Sequence, residues 1–131
     1  PMKSLLSLRA LAAACLLGLV AASAQAGEAA FDAAAFDAAV AAGKPTAVHF
    51  HADWCPTCRA QAPLLRDLMS EPRFRDLMLF VADYDHESAL RRRLKVAQQS
   101  TLVVFKEGRE VARSTGQTRK EALAELLGKA L

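Results

Sequence analysis

The sequence predicts an α/β domain whose central mixed sheet is covered by helices on both faces, and three observations carry that expectation. Short β-branched and aromatic runs alternate with stretches of helical spacing, which implies partly parallel strands joined by helices. The strand-like runs at Thr46 to Phe50 and Leu77 to Val81 are apolar enough to be buried on both sides. The last two runs flank a short turn, so an antiparallel hairpin finishes the sheet. At 131 residues, 53% hydrophobic and 24% charged, the chain suits one globular domain and hardly two.

Residues 1–26 read as a secretory signal. Lys3 and Arg9 form a positive start, Ala10 to Ala22 run apolar, and small residues at Ala22-Ser23-Ala24 and Ala24-Gln25-Ala26 suit cleavage after Ala24 or Ala26. The apolar run is short against the roughly 20 residues of a spanning helix, so no stable membrane insertion is expected after cleavage. Cys15 lies inside that run, with apolar residues continuing after it. Nothing in the sequence accounts for Pro1 ahead of Met2. Two of the 17 basic residues and none of the 14 acidic ones fall in this segment, so residues 27–131 carry +1 where the whole chain carries +3. No basic face is interleaved with aromatics, which excludes a nucleic-acid partner.

The elements follow in order. Phe36 and Val40 share a face of an alanine-rich helix that stops at Gly43-Lys44-Pro45, within which Phe31-Asp32-Ala33-Ala34 is echoed by Phe36-Asp37-Ala38-Ala39. After the Thr46 to Phe50 strand come Cys55 and Cys58, then Ala60, Leu64, Leu65, Leu68 and Met69 at helical spacing, ended by Pro72. Asp85 is expected to cap a helix carrying Leu90 and Leu94, with Arg91-Arg92-Arg93 as a solvated face. Thr101 to Phe105 and Glu110 to Arg113 flank Lys106-Glu107-Gly108, where Gly108 supplies positive φ. Thr118 and Glu121 are spaced as a capping box for a last helix striped by Leu123, Leu126, Leu127 and Ala130.

Outside the signal only Cys55 and Cys58 remain. In an exported chain they are open to three readings: a structural bridge, a redox pair or half a metal site. A loop this short contributes little chain-entropy stabilisation, which makes the bridge the weakest of them. The pair sits where a strand ends and a helix begins. A thiol at a helix N-terminus faces unpaired N–H groups and the positive end of the dipole, which favours the thiolate, and Pro56 suits an early helix position.

Trp54-Cys55-Pro56-Thr57-Cys58, with Pro63 inside the following helix, resembles the thioredoxin superfamily. The likeness runs on through Asp85, Phe105, Gly108 and Gly116 to the closing helix, and His51-Ala52-Asp53-Trp54-Cys55 is similar to bacterial exported members. The resemblance implies a thioredoxin-like fold over residues 27–131 and a periplasmic thiol–disulfide oxidoreductase. It implies that Cys55, the more exposed, attacks a substrate disulfide and that Cys58 resolves the mixed disulfide. Trp54, Pro56, Thr57, Gln99 and Ser100 are the expected substrate contacts. Protein disulfides and an upstream thiol or electron carrier are the expected partners, the protein is expected to be a monomer, and the exchange needs no metal or organic cofactor.

Three positions depart from the family pattern. His49 stands where the family usually buries an aspartate, and Val81 where a basic partner often lies, so His49 is the candidate acceptor of the Cys58 proton. His51 replaces an aromatic and shares a strand face with His49; if that face meets the cysteines, Cys55, Cys58, His49 and His51 would form a zinc or copper carrier site, the alternative function. Gln99-Ser100-Thr101 occupies the place of the family's cis-proline loop. A cis bond before a non-proline residue costs about 2.5–4 kcal/mol, so Gln99–Ser100 is expected to be trans. A redox-inert adaptor is the third class, opposed by the presence of both cysteines and Trp54.

Overall fold

The β-branched run at the heart of the sequence becomes the middle of the sheet. The computed structural model describes residues 27–131; residues 1–26, the expected signal, lie outside the described residues. Five strands, β1 (Gly27–Ala30), β2 (Thr46–His51), β3 (Met78–Asp83), β4 (Thr101–Lys106) and β5 (Arg109–Thr115), lie in the order β1-β3-β2-β4-β5. β1 and β2 run parallel to β3, while β4 is antiparallel to both β2 and β5. The helices are α1 (Ala33–Ala41), α2 (Pro56–Met69), α3 (Ser88–Leu94) and α4 (Lys120–Gly128), with a 3₁₀ turn at Pro72–Phe74.

Alternation along the strands divides the core. Ala47, Leu79, Leu102 and Val104 face α2 and α4, where Leu65, Leu68, Leu123 and Leu127 are almost fully buried. Val48, Phe50, Phe80, Val103 and Phe105 face α1 and α3, around the edge-to-face ring pairs of Phe36 with Phe80 and Phe105. Each such leucine or phenylalanine contributes about 1.5–3 kcal/mol through burial. His49, two residues from Ala47, therefore points under α2. The predicted layering of helices on both faces of a mixed sheet is the observed one.

Several local expectations differ. The strand Gly27–Ala30 has no β-branched residue to announce it; it is an edge strand held by backbone pairing with β3. Asp85 does not cap α3, whose N-cap is Glu87 without a side-chain bond; Asp83 organises that turn instead, accepting from the Asp85 N–H and from His86 Nδ1. The capping box at Thr118 and Glu121 does not form, because α4 starts one residue later, at an Arg119 N-cap whose N–H donates to Gln117 Oε1. Lys106 pairs with Arg109 as the last rung, so the hairpin turn is Glu107-Gly108, with φ values of 51° and 79°. The arginine triplet is not simply solvated: Arg91 stacks on Tyr84 and Arg93 pairs with Asp37 at 2.7 Å. None of the described helices is long and apolar enough to cross a membrane.

Candidate active site

The site is assembled where β2 gives way to α2. Cys55 is the N-cap of α2, in extended conformation, and Pro56 occupies the first turn, where its missing N–H leaves no bond unmade. The N–H of Cys58 donates to Cys55 Sγ at 3.3 Å, so a sulfur takes the place of a capping oxygen. Arg59 Nη1 holds the preceding turn through the Asp53 carbonyl at 3.1 Å. Both cysteines are free and buried, packed with Ala52 and Tyr84. Cys55 nonetheless borders an open depression of about 410 Å³, while Cys58 does not.

The loop before β4 closes the site from the other side. The Gln99–Ser100 bond is trans, and Ser100 sits at φ 62°, a left-handed conformation unusual for a residue other than glycine. Its N–H donates to the Phe50 carbonyl at 2.8 Å, and its carbonyl accepts from the Gly116 N–H at 3.0 Å. Ser100 lines the depression beside Cys55. Its hydroxyl reaches both sulfurs, 3.3 Å from Cys55 Sγ and 3.0 Å from Cys58 Sγ.

These contacts separate the two thiols electrostatically. Burial pushes the Cys55 thiol up, but the hydrogen bonds of Ser100 and of the Cys58 and Thr57 N–H groups outweigh it and bring the pKa down to about 7. Burial pushes the Cys58 thiol up as well; there the neighbouring Cys55 adds to the rise, against the hydrogen bond of Ser100. At neutral pH Cys55 is thus about half thiolate and Cys58 is a thiol, the division of labour needed for attack followed by resolution.

His49 is 1% exposed, and its Nε2 lies 2.9 Å from Gln61 Oε1. The Gln61 amide nitrogen donates to the Ser100 and Gln117 carbonyls, which turns its oxygen toward the ring, so His49 donates through Nε2–H. Burial, reinforced by His51 and only partly offset by Gln61, holds the imidazole down at about 4. In this reduced state His49, the candidate acceptor of the Cys58 proton, is not hydrogen-bonded to that sulfur: the partners of Cys58 Sγ are Ser100 Oγ and, at 3.9 Å, the Phe50 carbonyl. Gln61 is the site residue that sequence reasoning missed. Its signal was a polar residue in the buried stripe of Cys58, Leu65 and Leu68.

The remaining candidates divide between two places. Thr57, Gln99 and Ser100 line the depression beside Cys55. Trp54, 57% exposed, donates from Nε1 to Asp85 Oδ2 at 2.7 Å and borders a separate hollow with His51 and Asp83, while Pro56 is exposed and lines neither. His51 does share a face with His49, ring to ring at 5.5 Å, but its Nε2 pairs with Asp53 at 2.9 Å. The four residues of the zinc or copper alternative therefore do not converge. Among the described residues, no group of three or more His, Cys, Asp or Glu side chains is placed to hold a metal ion.

The family model "Thioredoxin" matches residues 28–129. A thioredoxin of Chlamydia pneumoniae is 35% identical over 94 residues, covering 72% of this chain and 89% of that protein. A bifunctional thioredoxin reductase/thioredoxin of Mycobacterium leprae is 34% identical over 92 residues, covering 70% of this chain and 20% of that protein. Among solved structures, Trxlp from Edwardsiella tarda superposes with a TM-score of 0.73 at 41% identity, covering 76% of this chain and 96% of that one. With its cysteine pair at the head of α2 and this sheet order, the chain belongs to the thioredoxin family of protein-disulfide oxidoreductases.

Proposed function

We propose that this protein is an exported thiol–disulfide oxidoreductase that exchanges its Cys55–Cys58 dithiol or disulfide with protein or small-thiol disulfides in the periplasm. The observation that carries the reading is the asymmetry of the pair: Cys55 borders open space with its thiol brought down to about 7, while Cys58 lies behind it with its thiol pushed up. The Cys55 thiolate attacks a substrate disulfide and one substrate sulfur leaves. Cys58 then attacks Cys55, the second substrate sulfur leaves, and the protein is left oxidised. Thr57 and Gln99, beside Cys55, are placed to meet the substrate chain.

Reduction of the resulting disulfide needs an upstream donor. The reductase named together with thioredoxin in the Mycobacterium leprae relative is one model of such a partner. Export is supported by Lys3, Arg9, the apolar run to Ala22 and the small residues before Gly27. A cut after Ala24 or Ala26 leaves β1 whole, since that strand begins at Gly27.

Two measurements test the proposal. In the reduced protein, alkylation at neutral pH should label Cys55 far faster than Cys58, and Cys55→Ser should abolish disulfide reduction; equal labelling, or full activity without Cys55, would defeat the chemistry. Fractionation with N-terminal sequencing should find the protein outside the cytoplasm, beginning at Gln25 or Gly27. An uncut chain retained in the cytoplasm would defeat the location.

A further inference from the structure

We propose that the Ser100 hydroxyl is a catalytic group that holds the Cys55 thiolate in the reduced protein and passes its hydrogen bond to Cys58 once Cys55 is bonded to substrate. The proposal rests on the reading of Cys55 as attacking and Cys58 as resolving sulfur. Its ground is geometric: one hydroxyl lies 3.3 Å from one sulfur and 3.0 Å from the other, at the buried floor of the depression, with Ser100 only 4% exposed. A hydroxyl has a single hydrogen and can donate it to only one of the two sulfurs at a time. Which sulfur receives it is decided by which carries the negative charge, because charge-assisted hydrogen bonds are the stronger ones.

The backbone around Ser100 is held so that only the side chain can move. Its N–H is bound to Phe50, and its carbonyl receives both the Gly116 N–H and the Gln61 amide at 3.1 Å. That amide is fixed in turn by His49 and the Gln117 carbonyl. The loop is thus pinned to β2, α2 and the approach to α4, with Ser100 kept in a conformation that disfavours a side chain. Rotation about its Cα–Cβ and Cβ–Oγ bonds is the freedom left to it. Among the described residues, the titratable groups nearest the pair are Tyr84, packed against the cluster of Ala52 and the two cysteines, and His49 behind Gln61, while His51 turns away to the exposed Asp53; none of them hydrogen-bonds a sulfur.

In the reduced protein the hydroxyl donates to the Cys55 thiolate. When that sulfur attacks, a Cys55–substrate bond forms and the substrate disulfide breaks. One substrate sulfur departs with the electron pair and takes a proton from solvent. Cys55 Sγ is then a neutral disulfide sulfur and a poor acceptor, so the hydroxyl swings to Cys58. The Cys58 proton leaves through the Ser100 hydroxyl to water in the depression that Ser100 lines, and the same hydroxyl then stabilises the Cys58 thiolate in the position from which it attacks. The Cys55–Cys58 bond forms, the Cys55–substrate bond breaks, and the second substrate sulfur leaves as thiolate and is protonated. Two electrons and two protons pass from the dithiol to the substrate disulfide.

The test uses Ser100→Gly, which removes the hydroxyl and suits the positive φ, with Ser100→Ala as a second variant that retains Cβ. The pH profile of Cys55 alkylation reports the thiolate. Its midpoint should rise from about 7 in the parent by about one pH unit in either folded variant, a roughly tenfold loss of thiolate on the acid side. Resolution of a mixed disulfide preformed with an aromatic thiol should slow about tenfold, with release of that thiol as the readout. An unchanged midpoint or an unchanged resolution rate in a folded variant overturns the proposal, since a purely structural serine would move neither. If the full chain exchanges disulfides while Ser100→Gly matches it in both measurements, the Ser100 proposal alone fails. If Cys55→Ser exchanges as fast as the parent, the dithiol reading fails and takes this proposal with it.

Discussion

Acidification should destabilise this protein through one buried ring, and the effect can be isolated. His49 is almost wholly buried and holds its neutral form down to about pH 4, against 6.5 for an unperturbed imidazole. Desolvation is the main cause, because the charged ring would sit under α2 with only a glutamine oxygen to face. As pH falls, the unfolded chain takes up this proton near 6.5 and the folded chain only near 4. Between those values the unfolded state binds more protons, and stability falls with pH. At about 1.4 kcal/mol per pH unit, the loss amounts to about 3 kcal/mol by pH 4, a large share of the roughly 5–15 kcal/mol typical of a domain. The matching variant is His49→Asn, which keeps a neutral donor for Gln61 and has nothing to titrate. Urea unfolding of both proteins across this range should show the parent losing about 3 kcal/mol more than the variant. His86 works in the opposite sense. Its hydrogen bond to Asp83 raises its pKa, so its contribution is complete below 6.5 and is lost as pH rises through the raised value. Both proteins carry it, and it cancels in the difference. Parallel stability curves for parent and variant would refute the assignment of a buried, neutral His49.

Two further outcomes follow from the same structure. Gln61→Leu keeps much of the side chain's volume but strands the buried His49 N–H and takes a donor from the half-buried Gln117 carbonyl, while the Ser100 carbonyl keeps the Gly116 N–H. At about 1–3 kcal/mol for an unsatisfied buried group, urea unfolding should show a loss of about 2 kcal/mol, and a loss below about 1 kcal/mol would contradict the network. Gly108→Ala forces a side chain into φ 79° and places its Cβ 3.3 Å from the Val40 carbonyl. It should cost about 1–2 kcal/mol and lower the melting temperature by several degrees; an unchanged melting curve would show that the turn can relax.

The layered architecture was legible in the chain because it depends on periodicity. Thr46 to Phe50 and Leu77 to Val81 could be buried only as inner strands, and Leu123, Leu126, Leu127 and Ala130 only as one face of a helix. The cysteine motif was legible for a local reason too: Cys55 caps the helix that begins at Pro56, so strand, turn and thiol are set within a few residues. Features held together by backbone pairing or by distant partners left no such trace. Gly27–Ala30 is a strand because β3 is there to bond it, and nothing in those four residues requires it. Asp85 looked like a helix cap and instead holds Trp54, 31 residues away in sequence.

At the site, the sequence determined which atoms were available, and tertiary structure decided what they face. His49, His51, Cys55 and Cys58 were chemically able to form a metal set. Strand pleating sends His49 to Gln61, while the turn after β2 gives His51 to Asp53, so the set never closes. Ser100 and the cysteines are more than 40 residues apart in sequence, and no local rule joins them. Their meeting depends on the antiparallel register of β4 against β2, which pairs Thr101 with Phe50 and brings the Ser100 N–H onto the Phe50 carbonyl. A hydrogen bond between distant residues exists only once packing has fixed both ends, which is why the serine's position against both sulfurs belongs to the fold and not to the string of residues.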